Sequence, residues 1–138
     1  MTFTRARAAA IAILMAASSA TLAAPPAGGG PVDALSAAPG NFKLLLETDR
    51  VRVLQYTLLP GARDQRHTHP PRVGHILSGG KIRVTRADGS HQDHEEKTGD
   101  TYWADFSPLH DTLNIGTTPY VALLVEVKNA PGAGAEAK

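Results

Sequence analysis

The chain has 138 residues, which is room for one domain, and 42% of them are apolar, an ordinary share for a folded core. Its 14 lysines and arginines nearly balance its 13 aspartates and glutamates, so nothing in the charge points to nucleic acid or a membrane surface as a partner. The chain contains no cysteine, which excludes disulfides and thiolate metal ligands.

Residues 1–23 have the pattern of a secretory signal peptide. A short positive region with Arg5 and Arg7 precedes an alanine-rich apolar run, and small residues follow through Ala24. A single membrane anchor is the alternative, but the strongly apolar run is well short of the roughly 20 residues that span a bilayer. We therefore expect a periplasmic or secreted protein that has no membrane attachment after cleavage. Losing the two arginines leaves 12 basic and 13 acidic residues, a net charge of −1.

Two further segments are dominated by proline, glycine and alanine. Residues 24–40 read APPAGGGPVDALSAAPG, which predicts a flexible linker, and residues 129–138 predict a flexible tail. The folded domain is therefore expected over residues 41–128.

The sequence of that domain predicts about eight short strands and no helix. Apolar residues alternate with polar ones, most clearly in KIRVTR, and glycine, proline and aspartate separate the runs. Asp88-Gly89 predicts a tight hairpin, after which the very polar residues 90–97 are expected to form an edge strand. The regular spacing is typical of a β-sandwich or barrel. The predicted strands are residues 43–48, 51–59, 73–77, 81–86, 90–97, 101–106, 110–116 and 120–128.

Three of the six histidines lie within residues 67–75. His67 and His69 are two residues apart, so on a strand both side chains lie on the same face. Neutral imidazole is the commonest metal ligand in proteins, and such a pair supplies two adjacent positions around an ion. His110, about forty residues later at a strand start, is the candidate third ligand. Three imidazoles with open positions describe a catalytic type of metal site rather than a closed structural one.

The spacing of these histidines and of nearby glycines resembles the two motifs of the cupin family. The first motif, G-x5-H-x-H-x(3,4)-E-x6-G, is matched by Gly61, His67, His69 and Gly79. The second, G-x5-P-x-G-x2-H-x3-N, is matched by Gly99, His110 and Asn114. The resemblance covers about residues 41–128. It implies an all-β, cupin-type double-stranded β-helix, a jelly-roll barrel, whose motif histidines point into the barrel mouth.

The departures from the motifs bear on the chemistry. Arg72 stands where the family has its glutamate ligand, and Asp105 and Ser107 replace the proline and glycine of the second motif. The resemblance thus implies a mononuclear site of His67, His69 and His110 for a divalent ion, which the sequence leaves open among Fe, Mn, Zn, Ni and Cu. Without the acid the bound ion would keep more positive charge, which favours an anionic substrate or an added water. Arg72 could bind a substrate carboxylate, but a surface charge is the interpretation we prefer from sequence.

Each candidate also has a structural interpretation. His67 and His69 could be a surface pair on a loop, and His110 could be a buried histidine of the core. His75 should face away from the site by alternation, unless a bulge after the prolines makes it a fourth ligand. Solvent exposure is expected for His91 and His94, and a cavity-wall, core or rim position for Tyr102, Trp103 and Phe106.

Three functions follow as hypotheses. The first is a metal-dependent, dioxygenase-like or isomerase-like enzyme acting on a small molecule, with no catalytic residue identified besides the metal ligands. No general base is visible in the sequence, so a metal-bound water would carry protons. The second is a non-catalytic module that binds a metal or a small ligand in the same barrel. A structural protein with vestigial motifs is a third possibility, and a homodimer is a family-level expectation.

Overall fold

The structure is a computed structural model, and it describes residues 30–129. One short helix precedes nine strands. The predicted signal peptide and nearly all of the predicted tail lie outside the described residues. In chain order the elements are α1 (Ala34–Ala37), β1 (Phe42–Glu47), β2 (Val51–Leu58), β3 (His67–His69), β4 (Arg72–Ser78), β5 (Gly80–Arg86), β6 (His91–Glu96), β7 (Thr101–Ala104), β8 (Ser107–Asn114) and β9 (Tyr120–Val127).

The strands form two sheets that face each other. The five-stranded sheet has the order β1-β2-β9-β4-β7, and the four-stranded sheet has the order β3-β8-β5-β6. All pairings between these strands are antiparallel. The all-β jelly-roll prediction is confirmed, with nine strands against the eight or so expected. Strand β6 lies at a sheet edge, as its polarity predicted.

Alternation along β9 and along the second half of β2 builds the core between the sheets. Tyr120, Ala122 and Leu124 are buried, whereas the residues between them are half-buried on the outer face. Leu54 pairs with Leu124 across the two strands, so their side chains meet inside. Full burial of a leucine contributes about 1.5–3 kcal/mol to folding.

Residues 33–38 form a short capped helix. The sequence predicted a flexible linker and no helix there. Asp33 caps α1 by accepting a hydrogen bond from Ser36 N at 2.9 Å. Ala34 and Ala38 are buried in the core. The composition of this segment did not indicate a helix, because alanine is common both in flexible linkers and in closely packed contacts. Within residues 30–129, no helix has the length and apolarity needed to cross a membrane.

The glycine turns that the sequence predicts are present. Gly61 and Gly89 have φ angles of 74° and 84°, in the left-handed region that favours glycine. Gly89 lies in the turn between β5 and β6, at the hairpin that Asp88-Gly89 predicted. A Cβ atom at Gly79 would lie 2.3 Å from the carbonyl oxygen of Glu96, so only glycine lets these two segments approach so closely.

Candidate metal centre

The three predicted ligand histidines meet inside the barrel. His67 on β3 pairs with His110 on the neighbouring β8, and His69 lies on the same face of β3. The ring centroids are 4.6 Å apart for His67–His69, 4.7 Å for His67–His110 and 5.6 Å for His69–His110. All three residues are buried, at 1%, 3% and 8% exposure, so a surface pair on a loop is the wrong interpretation.

Hydrogen bonds fix the orientation and the tautomer of each ring. The Nδ1 atoms of His67 and His110 lie 2.7 and 2.8 Å from the carbonyl oxygens of Gln65 and Pro108. His69 Nδ1 lies 2.7 Å from a carboxylate oxygen of Glu126. Because a carbonyl oxygen can only accept, Nδ1 must carry the proton in the first two rings, and the carboxylate favours the same form in the third. Each Nε2 therefore has a free lone pair, which is the state that binds metal.

Burial keeps these imidazoles neutral. Desolvation lowers the pKa of His67 and His110, and it lowers the pKa of His69 well below the ordinary value. The positive charge of Arg72 adds to the lowering in all three rings. Neutral rings need no deprotonation before they bind a cation.

The donor set fits a divalent ion. The Nε2 atoms of His67 and His69 are 3.0 Å apart, the separation of two nitrogens that share an ion about 2.1 Å away at an angle of about 90°. The ligand nitrogens of all three histidines lie within 4.8 Å of one another. All-nitrogen sites suit Zn, Fe, Cu and Ni, and the geometry names none of them.

A buried carboxylate behind the site was missed by the sequence reasoning. Glu126 on β9 is 1% exposed and accepts from His69 through Oε1. Its Oε2 accepts from Nε and Nη2 of Arg52 at 2.7 and 2.6 Å, and Arg52 also pairs with Asp33 at 2.6 Å. Burial raises the pKa of Glu126, and the Arg52 guanidinium opposes that rise. The alternation of YVALLVEV, which puts an acid on the apolar face, could have revealed it.

Neighbouring side chains hold the histidine strand in place. The ring of Phe42 packs edge-on against His67 and His69, with centroids 5.0 and 5.6 Å away. In the loop before β3, buried Asp64 accepts hydrogen bonds from the Tyr56 hydroxyl and from Thr112 N, each at 2.6 Å. These contacts tie β3 to both sheets, which gives the rings a rigid frame.

Arg72 lies inside the protein, which corrects the surface position we preferred from sequence. It is the first residue of β4, it is 9% exposed, and it lines the same cavity as the three histidines. Its Nη1 donates to Ser107 Oγ at 2.9 Å. The position that holds the family's glutamate therefore still faces the site, but with the opposite charge.

The cavity has a volume of about 670 Å³, the size range of small-molecule sites. Tyr102 and Phe106 line it, whereas Trp103 is 56% exposed and does not. His94 is a correction, because it is half-buried and faces the cavity rather than solvent. His91 is exposed, as predicted.

His75 lies outside the site, and Glu96 lies on the wall of the cavity. His75 is not part of the histidine group and bonds Thr101 Oγ1 through Nδ1 at 2.7 Å, on the other face of β4 from Arg72. Glu96, which the sequence reasoning did not single out, lines the cavity and accepts a hydrogen bond from the Tyr120 hydroxyl. This carboxylate is an acid–base group in a cavity where none was expected.

Comparison with known proteins places the fold. A cupin domain from Bordetella pertussis Tohama I is 20% identical, with a TM-score of 0.58 over 63% of this chain and 91% of that one. An RmlC-like cupin family protein from Methanocaldococcus jannaschii, with a double-stranded β-helix fold, is 20% identical, with a TM-score of 0.51 over 62% of this chain and 77% of that one. No protein-family model matches the chain. No curated protein matches it either. These likenesses show the cupin fold.

Proposed function

We propose, from the cupin fold and the arrangement of the histidines, that this chain binds one divalent metal ion through His67, His69 and His110 and a small molecule in the adjoining cavity. The observation that carries the proposal is that Nδ1 of each ring donates to a backbone or carboxylate oxygen. This leaves Nε2 of each ring free to bind an ion. Three neutral nitrogen donors within 4.8 Å of one another are a ligand set for such an ion.

An enzyme of the dioxygenase-like or isomerase-like kind is the activity we infer. A bound ion with open positions would supply Lewis-acid activation and a place for the substrate or dioxygen. The chain itself would orient the rings through Glu126 and exclude water through Phe42 and Phe106. Glu96, which accepts a hydrogen bond from Tyr120, is a carboxylate on the cavity wall, where His94 and Asp100 also lie.

A non-catalytic binding module is the second candidate. Arg72 in place of an acidic ligand favours it, because the site lacks one negative charge that the motif supplies. Export and pairing into a homodimer stay predictions. Mass determination of the mature chain from a periplasmic fraction tests the first, and sedimentation velocity tests the second.

Metal analysis of untagged protein tests the central claim. We expect about one ion per chain in the wild type and none in the His67→Ala, His69→Ala double variant. The matched control is His75→Ala, His91→Ala, which removes two imidazoles outside the histidine group and should keep the metal. Metal-free wild type after loading with Zn(II), Fe(II), Mn(II), Ni(II) and Cu(II) would overturn the proposal.

Oxygen uptake then separates the enzyme from the binding module. Iron-loaded protein is supplied with a panel of diols and thiols in an oxygen electrode. Consumption above that of the metal-free double variant supports the enzyme. Metal binding without any consumption removes the dioxygenase-like activity and leaves the isomerase-like enzyme or the binding module.

A further inference from the structure

Arg72 is a buried charge without an ion-pair partner among the described residues. The residue is 9% exposed, and no carboxylate within residues 30–129 forms an ion pair with it. Its guanidinium has five N–H donors. Nη1 donates to Ser107 Oγ, and Nε is the one buried side-chain atom in the described part of the chain without a hydrogen-bond partner. A buried cation is stable when it is paired, so this one lacks an anion.

The nearest acid is already engaged. Three charged residues lie side by side on the neighbouring strands β2, β9 and β4. In the register of the sheet, Glu126 lies opposite Arg52 on one side and opposite Arg72 on the other. Directly opposite residues of a sheet share one face. Both oxygens of Glu126 are taken, one by His69 and the other by Arg52. Two arginines thus flank a single carboxylate, and the one nearer the cavity is left unpaired.

The guanidinium shares the cavity with the histidines and with a phenol. Tyr102 pairs with Gly74 across β7 and β4, and its ring lies over that glycine: a Cβ there would be 2.2 Å from Tyr102 Cζ. The missing side chain lets the phenol lie beside Arg72, where each influences the pKa of the other. The wall at this end of the cavity therefore offers hydrogen-bond donors to a ligand.

We propose that Arg72 is the anchor of a carboxylate-binding subsite, and that the molecule this cavity takes is a small organic acid held next to the histidine centre. A carboxylate matches the planar fork of a guanidinium better than a spherical anion does, and it brings the one negative charge that Arg72 lacks. The cavity of about 670 Å³ admits a small acid and excludes a peptide or a polymer. The inference deepens the proposed function and rests on it for the role of the metal, while the carboxylate contact itself needs only Arg72.

Matched pairs of acids and amides test the charge preference. Acetate, lactate and benzoate are titrated calorimetrically into zinc-loaded protein alongside acetamide, lactamide and benzamide. Each amide has nearly the shape of its acid without the charge. We expect the best acid to bind about 10-fold or more tightly than its amide. Equal affinity within every pair overturns the inference, as does inorganic phosphate binding more tightly than every acid.

Substitutions assign the preference to Arg72. Arg72→Gln should abolish the acid-over-amide preference, and Arg72→Lys, which keeps the charge without the fork, should retain part of it. Arg86→Gln is the control, because Arg86 is an exposed arginine on the same cavity and its loss should leave the preference unchanged. Circular dichroism and bound zinc report the folding of each variant. If Arg72→Gln does not fold, Arg72→Lys with a preference equal to that of the wild type still overturns the inference.

The failure of this inference differs from the failure of the proposed function. Zinc-bound protein with no acid preference leaves the metal site standing and removes the carboxylate subsite. Protein that binds no metal but prefers acids in an Arg72-dependent way removes the metal site and supports the subsite. Metal content and calorimetry on the same samples separate the two.

Discussion

Two pairs of histidines lie at opposite edges of one sheet and differ in their spacing, their burial and their neighbours on the adjacent strand. His67 and His69 are on β3, and His91 and His94 are on β6, the two outer strands of the four-stranded sheet. The first pair is spaced by two residues and shares one buried face, whereas the second is spaced by three and is split between faces. The neighbour of β3 adds His110, but the residue opposite His94 is Ile82. Spacing and the adjacent strand, rather than histidine content, make the site.

The two sheets each carry an arginine–carboxylate pair, of similar geometry but in different surroundings. Arg52 donates to Glu126 at 2.7 and 2.6 Å, and Arg83 donates to Asp93 at 2.7 and 2.9 Å. The side chains are 16% and 2% exposed in the first pair, and 36% and 47% exposed in the second. Since water screens the exposed pair, equal distances should not mean equal energies.

The largest difference between the two groups of histidines is expected in metal affinity. Replacing His110 by alanine removes one of three ligands and should weaken zinc binding by at least about 100-fold. His94→Ala is the matched change, because His94 lines the same cavity outside the histidine group, and its affinity should equal that of the wild type. Competition with a chromophoric chelator measures both. Equal losses in the two variants would contradict the assignment of ligands.

Glu126→Gln tests whether the buried carboxylate orients His69. The amide keeps the shape but loses the charge that accepts from His69 and Arg52. We expect zinc affinity to fall by about 10–100-fold. The free energy of unfolding should fall by about 1–3 kcal/mol, because Arg52 loses a buried partner. Chelator competition and urea unfolding measure the two effects, and an unchanged zinc affinity would limit Glu126 to a structural role.

Acid should destabilise the metal-free protein through the buried histidines. The unfolded chain takes up protons near the ordinary histidine pKa of 6.5, while burial lowers the pKa of the three rings in the folded state. The contribution of the three neutral rings to the free energy of unfolding is therefore complete above pH 6.5, and it is lost as the pH falls below that value. Each ring that stays neutral contributes up to about 1.4 kcal/mol per pH unit.

Thermal unfolding in the presence of a chelator, from pH 7.5 down to 5.5, measures this dependence. The His67→Gln, His110→Gln variant carries two fewer titrating rings and should lose stability less steeply. Identical slopes in the variant and the wild type would assign the acid sensitivity to other groups.

The smallest effect is expected at the exposed ion pair. Asp93→Asn removes the partner of Arg83 on the outer edge strand. Because both side chains are in contact with water, the melting temperature should not change measurably, and any change should vanish in high salt. A loss as large as that of Glu126→Gln would show that geometry outweighs burial in these pairs.

The sequence by itself determined the fold class, most of the strands and the three candidate ligands. Alternation, turn residues and the two spaced motifs are local signals that survive without coordinates. The H-x-H spacing placed His67 and His69 on one face, and the second motif supplied His110 from a distant segment. The alternation of β9 also contained Glu126, an acid on an apolar face.

Only the tertiary structure decided which charges are buried and what they meet. Arg72 and Glu126 lie more than fifty residues apart in sequence and become neighbours through the pairing of β4 with β9. The helix over residues 34–37 is stabilised by the core it covers rather than by its own four residues, which are too few to form a helix alone. Cross-strand neighbours and burial depend on the closing of the barrel, and local sequence patterns do not record that closure.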